Sequence, residues 1–82
     1  MSATMLAVAR TDALFVSALS TGSRPGRDEV DATVRAEVRR HRGSRGCAAE
    51  VAARYGEVPE YAVRRTIWAR RVVAGVFGGA AR

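Results

Sequence analysis

Sixteen of the 39 apolar residues in this 82-residue chain are alanines, so 23 larger apolar side chains must build whatever core it has. A domain of this size buries roughly 60% of the surface its unfolded chain exposes and keeps a margin of a few kcal/mol. That allows one small domain and excludes a two-domain enzyme or a complete dinucleotide-binding unit. The positions of the larger side chains therefore decide the fold.

Those positions recur at helical spacing. Leu14, Phe15, Ala18 and Leu19 give one apolar side to a short helix over about 12–20, with Thr11 as N-cap and Asp12 at its positive end. Thr21-Gly22-Ser23-Arg24-Pro25-Gly26 stacks turn formers and reads as a loop. Over about 27–42, Val30, Val34, Val38 and His41 share a face. Asp28, Glu29 and Asp31 open that helix and Arg39, Arg40 and Arg42 close it, so both ends complement the macrodipole. Gly43 stops it.

Ser44 caps a third helix over about 45–55, with Cys47, Ala48, Val51, Ala52 and Tyr55 on one side and Gly56 in the left-handed position that closes it. Pro59 stands as the first residue of the longest helix, about 59–77, whose apolar face centres on Trp68. The pattern predicts an all-α, compact four-helix domain over 11–77 with a long C-terminal helix. Val34, Val38, Val51 and Tyr55 pack against Trp68, residues 1–10 are flexible or loosely packed, and 78–82 form a flexible tail.

Charge narrows the partner. All fourteen basic residues are arginine and none is lysine; against eight acids this leaves a net charge of +6. An anionic partner is favoured, either nucleic acid or an acidic protein surface. Codon bias in a GC-rich genome would also enrich Arg, Ala, Gly and Val together, which is an alternative source for part of this excess.

Several chemistries lack their residues. One cysteine, Cys47, cannot form an internal disulfide. His41, Cys47 and Glu50 give three candidate metal ligands without a fourth, so no metal is expected. Gly43, Gly46 and Gly56 lie too far apart for a phosphate loop, and no Ser/His/Asp set stands out; neither catalysis nor a cofactor is expected. The apolar run from Met5 to Ala9 is stopped by Arg10 and Asp12 with no basic residue before it, and no stretch is long enough to span a membrane. The cytoplasm is the expected compartment.

From Glu50 to Arg65 the chain reads EVAARYGEVPEYAVRR, which resembles the helix–turn–helix of bacterial DNA-binding proteins. Ala52 matches the small residue of the first helix, Gly56 the turn glycine, and Ala62 an inward position of the second helix. Glu57 and Arg65 depart from the pattern, standing where the motif has apolar residues, so the element is a degenerate one. The resemblance implies that Glu60, Tyr61, Val63, Arg64 and Thr66 lie toward base edges or phosphates. A longer series is similar to a group of small actinobacterial helical proteins without an assigned activity. It comprises Leu14 to Leu19, Arg45-Gly46-Cys47-Ala48-Ala49-Glu50-Val51-Ala52, Gly56-Glu57-Val58-Pro59-Glu60 and Arg65-Thr66-Ile67-Trp68-Ala69. It implies a bacterial, cytoplasmic origin and carries over no functional residue.

The expected function is non-catalytic binding of double-stranded DNA, in transcription or its control. The contacts would come from Arg64, Arg71 and Thr66, with Arg39, Arg40, Arg42 and Arg45 completing one phosphate-binding surface. A lone module of this size contacts few bases, so a homodimer or a larger protein partner is implied. The alternative is an interaction module for an acidic protein, with Arg65 or His41 at the interface. Arg65 falls on the apolar side of its helix and must pair with Glu37, Glu50 or Glu57, reach a rim, or be covered by another molecule. His41, on the valine face, reads first as a partly buried histidine donating to a carbonyl or to Glu37. Cys47 reads as a small buried hydrophobe and Trp68 as core.

Overall fold

A computed structural model describes residues 2–78, and its backbone folds into four helices, with no strand among the described residues. The first, α1 (Ala3–Val16), begins well before the predicted start. Ser2 caps it, its Oγ accepting from the Met5 N–H at 3.1 Å, and Thr11, predicted as the cap, is buried within the helix instead. Residues 3–10, predicted as a loose or flexible stretch, are thus the first turns of α1, although Met5, Leu6 and Val8 remain exposed. Of the predicted tail, 79–82 lie outside the described residues.

The second helix, α2 (Arg27–Arg40), stops before Arg42 because the chain turns left-handed there. Arg42 has φ 63° and Gly43 φ 119°, and the Gly43 N–H donates to the Val38 carbonyl at 2.7 Å. Gly43 is also the N-cap of α3 (Ser44–Glu57), a position predicted for Ser44. Gly56 is a further correction, since it lies inside α3 without a left-handed φ. Arg54 bridges Glu50 at 3.4 Å and Glu57 at 3.2 Å, and its carbonyl accepts from the Val58 N–H at 2.8 Å, which carries the helix past the glycine. Val58 alone then joins α3 to α4 (Pro59–Phe77), whose bounds match the prediction, with the proline in the first turn where its missing N–H costs nothing. Ala52, matched above to the small residue of a helix–turn–helix, faces solvent, while Ala62 is fully buried.

α1 packs against each of the other helices. The core joins Leu14 of α1 and Val30 of α2 to Trp68, Ala69 and Val73 of α4, with Leu19, Val34, Val72, Val76 and Phe77 around them. Val34 is where it was predicted, but Val38, Val51 and Tyr55 are not part of this cluster. Tyr55 instead stacks on Phe15 with ring centroids 6.4 Å apart, and Tyr61 meets the same ring edge-on at 6.3 Å. Phe77 carries the Arg10 guanidinium 3.7 Å from its ring centroid and that of Arg27 at 5.0 Å, tying the far end of α4 to α1 and α2.

A candidate anion-binding groove along the last helix

Arg65 shapes the region on which the site is built. Its side chain is enclosed, and all five guanidinium N–H donors are used. Nε donates to the Phe15 carbonyl at 2.9 Å; Nη1 donates to the Leu19 carbonyl at 2.6 Å and Thr21 Oγ1 at 2.9 Å; Nη2 donates to the Leu14 carbonyl at 3.3 Å and the Ser17 carbonyl at 2.8 Å. These carbonyls belong to the last turn of α1 and the chain just after it, where a helix leaves acceptors unpaired and its dipole is negative. Burial pushes the guanidinium pKa below its ordinary value, and the Trp68 ring lies 4.5 Å beneath it. Arg65 therefore pairs with no carboxylate and is not free to meet a partner, correcting its predicted place at an interface.

That cap folds the segment after α1 back along α4. Trp68 Nε1 donates to the Ser23 carbonyl at 2.8 Å and holds the segment a second time. Between the 21–25 loop and α4 runs an open groove of about 510 Å³. Its floor is apolar, with Trp68, Val72 and Pro25, and three arginines line it: Arg24 from the loop, Arg64 and Arg71 from α4. No acidic residue lines it. Arg64 and Arg71 share one ridge of the helix, two turns or about 10.5 Å apart.

The other predicted basic residues are not gathered there. Arg40 lines a polar opening with His41, Glu50, Arg54 and Tyr61, and Arg45 lines one between α1 and α3 that contains Asp12. Arg39 is exposed near the end of α2, and Arg42 is exposed in the turn after it. Thr66 is a correction of direction: it faces α3, where its hydroxyl accepts from Tyr55 Oη at 2.8 Å, in a cleft apart from the arginine groove. His41 is half-buried with Nε2 3.4 Å from Glu37 Oε1, and Arg40 stands 3.7 Å from the same oxygen. Arg24 was missed because the 21–26 stretch reads in sequence only as a loop; nothing local says against which helix it lies.

Cys47 is fully buried, with Sγ donating to the Glu37 carbonyl at 3.7 Å. Desolvation, then the negative charges of Asp12 and Glu37, push its thiol pKa up and leave it a poor nucleophile. In the folded protein at pH 8, Cys47 is expected to react with an aromatic disulfide reagent only as fast as the chain opens, with full reactivity restored by denaturant. Rapid stoichiometric labelling under native conditions would contradict this.

Among the described residues no group of three or more His, Cys, Asp or Glu side chains is placed to hold a metal ion, and no helix is long and apolar enough to cross a membrane. Comparison with protein-family models, curated proteins and solved structures finds no match for the chain.

Proposed function

We propose that this protein is a non-catalytic binding module that takes an acidic segment of another protein into the groove between the 21–25 loop and α4. The observation that carries the reading is the composition of the groove, three arginines and no acid over an apolar floor. Apolar side chains of a partner gain by leaving water against Trp68 and Val72, and its carboxylates meet Arg24, Arg64 and Arg71 at the rim. A DNA-binding reading uses Arg64 and Arg71 as well. It also needs the arginines of 39–45 on the same surface, whereas Arg40 and Arg45 line separate openings. Glu60, at the leading end of α4, lines an opening with Arg64 and would face phosphates with the wrong sign.

The test titrates the protein with a disordered peptide of mixed Glu and Leu and, separately, with random-sequence duplex DNA, each over a range of salt. The peptide is expected to bind at low ionic strength and to weaken as salt rises. Exchange of Arg24, Arg64 and Arg71 together for Gln is expected to cost about tenfold in affinity, since each exposed ion pair contributes up to about 1 kcal/mol. Duplex DNA binding more tightly than the peptide, or a triple variant that binds the peptide unchanged, would overturn the reading.

A further inference from the structure

We infer that the occupant of this groove is an amphipathic helix lying along α4, with two carboxylates seven residues apart and a large apolar side chain midway between them. This rests on the reading of the groove as a site for an acidic protein segment. The α4 wall extends from Arg64 to Val76, about 18 Å at the helical rise, which is the length of three helical turns. Arg64 and Arg71, about 10.5 Å apart on one ridge, match the separation of positions i and i+7 on a second helix.

An extended segment does not fit the same pair. Three residues of strand span about 10 Å, but side chains three apart in a strand point to opposite faces, and those two or four apart fall short of or overrun the arginines. A helical occupant therefore satisfies both arginines from one face. Midway between them Ile67 stands 44% exposed beside Trp68, so the partner's middle position meets apolar surface and must itself be apolar. Arg24, on the opposite bank, leaves no wall of the groove favourable to a basic helix. The partner signature is Glu-x-x-Leu-x-x-x-Glu, with Asp able to replace Glu.

The experiment uses a lactam-stapled helical peptide carrying that signature and a stapled control of identical composition in which the carboxylates are five residues apart, on different faces. Trp68, the one tryptophan of the chain, lies in the groove floor and reports occupancy by its fluorescence. The signature peptide is expected to shift Trp68 emission and to bind about fivefold more tightly than the control, which keeps one rim ion pair and loses the other. Arg71→Gln is expected to remove most of that difference while leaving the far-UV circular dichroism melt unchanged. Equal affinity for the two stapled peptides overturns the helical inference but leaves the acidic-segment reading standing. So does binding of the disordered Glu/Leu peptide when neither stapled form binds. Failure of all three acidic peptides overturns both.

Discussion

Arg65→Met is expected to lower the unfolding free energy by about 3–5 kcal/mol, measured by urea denaturation. Hydrogen bonds from a charged donor are each worth about 1.5–3 kcal/mol, and five of them, summed naively, would exceed the stability of a domain this small. Two effects reduce that sum. The guanidinium was itself taken out of water, at a cost the variant no longer bears. The carbonyls of Leu19 and Ser17 are bonded in part-buried positions and recover water when the cation leaves. The Leu14 carbonyl keeps its bonds from the Ser17 N–H and Oγ, but the Phe15 carbonyl is buried with Arg65 as its donor, so it is stranded and its penalty dominates.

A paired buried charge can often be exchanged with its partner for apolar groups at little loss, but backbone carbonyls cannot be removed by substitution. Arg65→Lys is expected to recover only part of the loss, because an ammonium offers three donors where five acceptors wait in a planar fan. Trp68 emission should move to longer wavelength in the methionine variant as the 21–25 loop loosens from α4. A methionine variant within about 1 kcal/mol of the parent would mean that the cap contributes nothing net.

Much of this was legible before the fold was seen, and the limits have definite causes. Pro59, the acids opening α2 and the spacing of Val30 and Val34 are local signals, and the elements they mark stand where predicted. A spacing of seven puts Arg64 and Arg71 on one ridge, but in sequence that ridge falls nearly opposite the Trp68 face, whereas in the fold it borders Trp68 and Val72 in the groove. The start of α1 was misplaced because Ser2 and Thr11 are equally good caps by residue type, and the choice between them is made by burial of Thr11. Arg65 was visible as a misfit on an apolar face, yet its partners were not. They are main-chain oxygens 46 to 51 residues earlier, plus one threonine hydroxyl, and every residue carries such an oxygen. The same long-range fold-back brings Arg24 to the groove and leaves Arg40 and Arg45 on others. Charge counting gives the sign of the surface; only the path of the loop between α1 and α2 gives the shape of the groove.

The same loss of local legibility applies to glycine, and one helix contains both cases. Gly46→Ala is expected to destabilise the protein by about 2–4 kcal/mol, although alanine is the better helix former by about 1 kcal/mol. A Cβ built on Gly46 overlaps the His41 carbonyl oxygen and comes within 2.9 Å of the His41 carbonyl carbon. Both are backbone atoms at the end of α2, so no rotamer change relieves the clash. The first turn of α3 must instead lift away from the Arg42–Gly43 turn, taking with it the buried Cys47 and its contact with the Glu37 carbonyl. Gly56→Ala, the same exchange in the same helix, meets no atom within 4 Å and has no left-handed φ to strain. It is expected to stabilise by up to about 1 kcal/mol through propensity and a less flexible unfolded chain. Urea midpoints for the two variants should therefore move in opposite directions from the parent. If Gly46→Ala raises its midpoint as Gly56→Ala does, α3 does not cross the end of α2 at backbone contact, and the placement of Cys47 against Glu37 falls with it.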